Sequence, residues 1–118
     1  PTPTPPPPYA ITGEHIAQGL KTAHWPGRLE RITEGECAQL LPRKHSSGWE
    51  LWMDGGHNLG GSLAIAEHVA THWHDRPTYL IFGTTQGKEV RHMLTPLAPH
   101  VAHITAIPVF AEPRSYPA

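Results

Sequence analysis

The closest spacing of chemistry-bearing residue types is in Asp54-Gly55-Gly56-His57-Asn58. Asp54 follows the mostly apolar run Trp49 to Met53 and so stands at the end of a strand. A carboxylate there can accept from a ribose hydroxyl or hold a metal-bound water. The two glycines permit a tight turn and close backbone approach. His57 then falls beside the start of a helix, where unpaired N–H groups favour an anion. Asn58 is suited to cap that helix. The same residue types are also common in any βα turn, so both readings stand at this point. In Trp25-Pro26-Gly27-Arg28 an arginine follows a stiff Pro-Gly turn and can fork onto a phosphate, or it is an ordinary surface arginine.

Two other segments invite a reading. Gly83-Thr84-Thr85-Gln86-Gly87-Lys88-Glu89 suggests a phosphate loop, but only three residues separate its glycines and Glu89 follows the lysine. Such a loop needs four, and then a Ser or Thr that reaches magnesium, so this segment is a decoy. The chain also has 10 histidines. His68 and His72 lie four apart, with His74 close by, and two imidazoles on one helix face can share a zinc ion. No cysteine is nearby in sequence and Glu67 falls on a different helix face, so a solvated helix face is the competing reading. His100 and His103 form a looser pair.

The elements that position these residues follow from periodicity and punctuation. Residues Pro1 to Pro8 read as an extended polyproline segment, a linker or a ligand for a proline-binding module. Thr12 caps a helix over about Gly13 to Ala23, with Ile11 and Ile16 in staple positions. Leu29 to Ile32 and Cys37 to Leu41 read as short strands, and Pro42 to Gly48 as a polar loop, inserted as a hairpin. Trp49 to Met53 is a strand. Leu63, Ala66, Val69, Ala70 and Trp73 then recur at helical spacing. Thr78 to Phe82 is a strand, Val90 to Leu97 a helix bent at Pro96, and Val101 to Ile107 a strand. From Trp49 onward the order is strand, helix, strand, helix, strand. That order predicts an α/β fold: a small Rossmann-like, mostly parallel sheet with flanking helices. Ligands sit at the carboxyl ends of strands in such sheets, where the turns after Met53 and Phe82 lie.

At 118 residues with net charge −1, the chain is one domain at most and carries no basic footprint for nucleic acid. No apolar run approaches the roughly 18 residues of a membrane helix, so no membrane partner is expected. The single Cys37 excludes an internal disulfide and a cysteine-only zinc site, and fits a reducing compartment such as the cytoplasm.

Gly19-Leu20, Trp25-Pro26-Gly27-Arg28-Leu29-Glu30, Asp54-Gly55-Gly56-His57-Asn58 and Phe82-Gly83 with Lys88-Glu89, in this order, resemble folylpolyglutamate synthase/dihydrofolate synthase of the Mur ligase superfamily. The resemblance runs from about Ile11 to Pro113. It implies that residues 1–26 are a proline-rich segment and helix from the end of a central ATPase domain. Residues 27–118 would then be part of a Mur ligase carboxy-terminal domain, truncated. It further implies a magnesium-dependent reaction in which ATP phosphorylates a carboxylate of dihydropteroate or of a folate glutamyl tail, and L-glutamate attacks the acyl phosphate. Arg28 and Asp54 would contact ATP. His57 would be the catalytic residue, near the transferred phosphate or the incoming glutamate, and Lys88 a further residue toward phosphate or glutamate. Asn58 would shape the turn as a helix cap.

Leu59 stands where the family usually has proline, and Gly87-Lys88-Glu89 where it often has Asp-Lys-Asp. The family's phosphate loop and magnesium ligands lie upstream of the matching region, and no metal ligand is assigned within this chain. The expectation is therefore a fragment that does not ligate alone and that dimerises through an exposed sheet edge. The alternatives are a stand-alone histidine-rich metal-binding or proline-docking module, and a fragment of a cell-wall Mur-type amino-acid ligase. The Trp-Pro-Gly-Arg turn resembles the folate branch more than the latter.

Overall fold

The computed structural model describes residues 10–42 and 48–117. The proline-rich segment and most of the Pro42 to Gly48 loop lie outside the described residues.

Helix α1 spans Gly13–Thr22. The Thr12 hydroxyl accepts from the His15 N–H at 3.2 Å, and His15 Nδ1 accepts from the Thr12 N–H at 3.3 Å. His15 thus completes a capping box. No residue of α1 is buried, and Ile11, Ile16 and Leu20 all stay exposed.

Strand β1 (Glu30–Ile32) is followed by helix α2 (Gly35–Gln39), where the sequence pattern had indicated a strand over Cys37 to Leu41. Ala38 and Leu41, three apart, are half-buried, while Cys37 and Leu40 are exposed. Three-residue spacing is helical, and so short a run does not separate it from alternation. Strand β2 (Leu51–Met53) pairs antiparallel with β1, with Glu30 opposite Met53 and Ile32 opposite Leu51.

Helix α3 (Leu59–His72) buries Ser62, Ala66 and Val69. Trp73 caps it half-buried, but Leu63 and Ala70, expected on the same face, are exposed. The buried stripe is displaced by one position because Ser62 and Ile65, not Leu63, face inward. Strand β3 (Tyr79–Phe82) pairs in parallel with β4 (His103–Ala106). Between them run α4 (Val90–Leu94), the bend at Pro96, and a 3-10 turn over Ala98–His100.

The expected βαβ crossover is therefore present once, as β3–α4–β4. The expected α/β fold with a small parallel sheet and flanking helices is present, but β2 does not join it: the strands form two two-stranded sheets, β1-β2 antiparallel and β3-β4 parallel. Local pattern identified the strands, but hydrogen-bond partners are set by where each strand lands. Between β2 and β3 lies a cavity of about 680 Å³ instead of a ladder. Among the described residues the buried apolar ones are Ala66, Val69, Met93 and Leu97, which join α3 to α4 and the 3-10 turn.

Candidate functional site

Gly27 adopts φ +70°, a conformation glycine accepts without cost, and so turns the chain after Pro26. Its N–H donates to Glu30 Oε2 at 2.7 Å, which ties the turn to the first residue of β1. Its carbonyl accepts from the Gly55 N–H at 2.7 Å and from Arg28 Nη1 at 3.1 Å. Leu29 follows at φ +42°, in the left-handed region that leucine rarely occupies.

Asp54 holds that geometry. Its Oδ2 accepts from the Leu29 N–H at 2.7 Å, and its Oδ1 accepts from the Gly56 N–H at 2.6 Å. One half-buried carboxylate thus fastens the Pro-Gly-Arg turn to the Gly-Gly-His turn across 25 residues of sequence. Charge-assisted bonds of this kind are among the stronger protein hydrogen bonds. The two glycines are required by proximity; neither has a positive φ. A Cβ on Gly55 would stand 2.6 Å from Arg28 Nη1, and one on Gly56 2.7 Å from Asp54 Oδ1.

His57 and Asn58 complete the turn. His57 is exposed and its Nδ1 lies 3.1 Å from the Gly55 carbonyl, which orients the ring. Asn58 Oδ1 accepts from the Gly61 N–H at 2.9 Å, so Asn58 caps α3 as the sequence indicates. Arg28, Asp54, His57 and Asn58 line one open depression of about 390 Å³, with His68 at its edge. Arg28 is exposed and forms no ion pair among the described residues. The structure therefore gathers a guanidinium outside any described ion pair, an imidazole and a helix start around one concavity. That set suits an anion with phosphate geometry.

Lys88 does not line this depression. It is exposed, just before α4, in the loop after β3. That loop's backbone is used by the tail: the Gln86 N–H donates to the Arg114 carbonyl at 2.7 Å, and the Thr84 carbonyl accepts from the Tyr116 N–H at 3.1 Å. The Gln86 N–H, committed to the tail, is not available to a phosphate.

The histidines of α3 pack rather than gather. The rings of His68 and His72 stack at 4.3 Å, and His68 meets Trp73 edge-on at 4.9 Å. Trp52 of β2 lies 5.1 Å from Trp73 and 6.3 Å from His68. Burial, and then the neighbouring His72, lower the His68 pKa from its ordinary value, so the ring stays neutral near pH 7. His72 Nδ1 turns to the His68 carbonyl, and His74 Nδ1 to that of Thr71. No group of three metal-binding side chains forms among the described residues.

Sequence reasoning quoted Leu29 and Glu30 in the motif and His68 among the histidines, but gave none of them a role in this site. Glu30, three residues past Gly27, carried the only available signal, that of a side-chain cap on a turn. The positive φ of Leu29 and the packing of His68 against Trp52 have no local signature.

No family model matches the chain. Over 104 residues it is 33% identical to a protein of Halobacterium salinarum named probable bifunctional folylpolyglutamate synthase/dihydropteroate synthase, covering 86% of this chain and 11% of that protein. It is 26% identical over 109 residues to a folylpolyglutamate synthase of Lacticaseibacillus casei, covering 92% and 22%. Two solved structures share the fold. One is the Mycobacterium tuberculosis folylpolyglutamate synthase complexed with ADP, with a TM-score of 0.68 at 22% identity, covering 91% of this chain and 21% of that one. The other is a bifunctional folylpolyglutamate synthase/dihydrofolate synthase with Mn, AMPPNP and L-glutamate bound, with a TM-score of 0.70 at 21% identity, covering 92% and 23%. The chain thus spans about a tenth to a fifth of the length of the curated relatives it matches. Over nearly its whole length it is similar to, and has the fold of, one segment of proteins named folylpolyglutamate synthase or bifunctional folylpolyglutamate synthase/dihydrofolate synthase.

Proposed function

We propose that this chain is part of an ATP-dependent ligase that adds L-glutamate to dihydropteroate, to folylpolyglutamate, or to both. The observation that carries this reading is the Asp54 clasp, which brings Arg28 and His57 to one depression at the seam of the two turns. In the reaction, the γ-phosphoryl of ATP passes to a substrate carboxylate and ADP leaves. The amine of glutamate then attacks the acyl carbon, loses a proton and expels phosphate. Arg28 holds nucleotide phosphates by its guanidinium. His57 faces the transferred phosphate or the incoming glutamate. Asp54 serves chiefly by positioning, since each of its oxygens already accepts a backbone N–H, and its remaining lone pairs are available to the nucleotide. Lys88, set apart from the depression, reaches phosphate or glutamate only from the adjoining loop.

Relatives with bound ADP, or with Mn and AMPPNP, support a nucleotide and a divalent ion for the parent enzyme. The described residues do not fit magnesium: Asp54 is the only carboxylate lining the depression, and no ligand trio forms. The ligands of the ion are expected in the remainder of the enzyme. In this reading residues 1–26 close the central ATPase domain and residues 27–118 open the carboxy-terminal one. The wholly exposed α1 supports the division. Among the described residues no helix is long and apolar enough to cross a membrane, and the proposed setting is the cytoplasm.

The test is an NMR titration of the 118-residue chain with ADP and L-glutamate. Shifts centred on Arg28 and on residues 54–58 are expected. Arg28→Ala should weaken ADP binding about tenfold, the lower bound for a hydrogen bond between charged groups. No shift at these residues with millimolar ADP, or identical shifts in Arg28→Ala, would sink the nucleotide assignment.

A further inference from the structure

The tail after β4 folds back onto the loop that carries Lys88, and one side chain closes it there. Ile107 leaves β4 with its N–H donating to the Phe82 carbonyl at 2.9 Å. Gly83 permits that approach, since a Cβ on it would stand 3.0 Å from the Ile107 carbonyl oxygen and 3.3 Å from Val109 Cγ2. The chain then reverses through Ala111, held at φ +58°. It returns antiparallel to the loop, with Ser115 opposite Thr85. The Gln86 N–H donates to the Arg114 carbonyl at 2.7 Å, and the Tyr116 N–H to the Thr84 carbonyl at 3.1 Å.

Ser115, half-buried, locks this return. Its Oγ accepts from the Val109 N–H at 2.7 Å and donates to the Tyr116 carbonyl at 2.8 Å. Its own N–H donates to the Glu112 carbonyl at 2.9 Å. One hydroxyl thus closes residues 109–115 into a ring. A non-glycine residue in the left-handed region persists only where its surroundings fix it, and the ring through Ser115 supplies that constraint at Ala111.

Lys88 depends on both ends of its loop. Two residues before it, Gln86 is tied to the tail. Beyond it, the Lys88 carbonyl accepts from the Val90 N–H at 2.9 Å, at the start of α4, whose Met93 is buried. Between the two anchors Gly87 turns the chain at φ +84°. A tail that lets go leaves residues 84–87 free to swing about that glycine, and Lys88 is then held from one side only.

We propose that Ser115 is a positioning residue for Lys88: through the closed tail it fixes the loop from which the ammonium group reaches phosphate or glutamate. The inference rests on the role given to Lys88 under the proposed function. Ser115 touches neither ligand. It removes backbone freedom that the Lys88 loop would otherwise have to lose on binding. Freeing the backbone of one residue corresponds to roughly tenfold in affinity.

Steady-state kinetics on the protein encoded by the complete reading frame test this, reading phosphate release with ATP, dihydropteroate or a folate, and L-glutamate. Ser115→Ala should lower kcat/KM for glutamate about tenfold, and Ser115→Thr, which keeps the hydroxyl, should restore it. Lys88→Ala should lower it as well, and adding Ser115→Ala in that background should cost nothing further. Hydrogen exchange over residues 84–87 should quicken roughly tenfold in Ser115→Ala while Tyr79–Phe82 stays protected. Should that variant lose the β3 protection too, Tyr116→Pro opens the clamp in its place. It deletes the N–H given to Thr84, leaves Ser115 intact, and should show the same kinetics. An unchanged kcat/KM in the opened variants, or losses from Ser115→Ala and Lys88→Ala that simply add, overturn the positioning role and leave the ligase reading standing. Wild-type protein with no glutamate-dependent phosphate release sinks the ligase reading itself, and the role of Lys88 with it.

Discussion

Replacing Asp54 with alanine removes the acceptors of two backbone N–H groups, those of Leu29 at 2.7 Å and Gly56 at 2.6 Å. Hydrogen bonds to a charged group contribute about 1.5–3 kcal/mol each. Asp54 is half-buried, so the lower value applies and the gross loss is about 3 kcal/mol. Part of it returns. Leu29 sits at φ +42°, and the left-handed conformation costs roughly 1–2 kcal/mol, which the freed turn can relax. The expected net destabilisation is about 1–2 kcal/mol, read as a lower urea midpoint at unchanged slope. Asp54→Asn keeps one carbonyl acceptor and should lose about half as much. Leu29→Gly removes the strain and should offset part of the Asp54→Ala loss less than it stabilises the parent chain, because the clasp is what imposes the strain. A loss under about 0.5 kcal/mol for Asp54→Ala would refute the clasp and return Asp54 to the role of a simple ligand contact.

Gly55→Ala sets a Cβ 2.6 Å from Arg28 Nη1, so the guanidinium must move. ADP binding should weaken severalfold while the far-UV circular dichroism stays that of the parent, and unchanged ADP affinity would show that the Arg28 pose is irrelevant. His68 gives a pH prediction. Its folded pKa is lowered below 6.5, first by burial and then by His72, so below about pH 6.5 the unfolded chain binds more protons than the folded one. Stability from this group is whole above that pH and falls as pH drops toward the folded value. The urea midpoint should decline between pH 7.5 and 5.5, and less steeply in His68→Gln; equal slopes would dismiss the packed, neutral imidazole.

The residues that end and turn the chain were legible one by one. Thr12 and Asn58 are caps in the sequence and caps in the fold, because a cap needs only a side-chain oxygen and an N–H three residues on. Pro96 bends the chain after α4 for an equally local reason. Helix α2 was hidden because five residues hold too little periodicity, and the inward face of α3 was misplaced because Leu63 is apolar but Ser62 is the buried neighbour. The motif pair itself, Trp25 to Glu30 and Asp54 to Asn58, was visible as residue types in order.

What those motifs do to one another is a different matter. That Asp54 reaches back 25 positions to the Leu29 N–H, that Glu30 closes the turn at Gly27, and that His68 leans on Trp52 and Trp73 are facts of tertiary packing. So is the separation of β2 from β3. A strand's residues declare its apolar faces, but its neighbours depend on which other edges arrive beside it. Sequence thus determined the turns, the caps and the chemical groups offered. Only the three-dimensional structure decided which carboxylate became a clasp and which strand edges were left facing an open slot, because hydrogen bonds between distant segments depend on the path of all the chain between them.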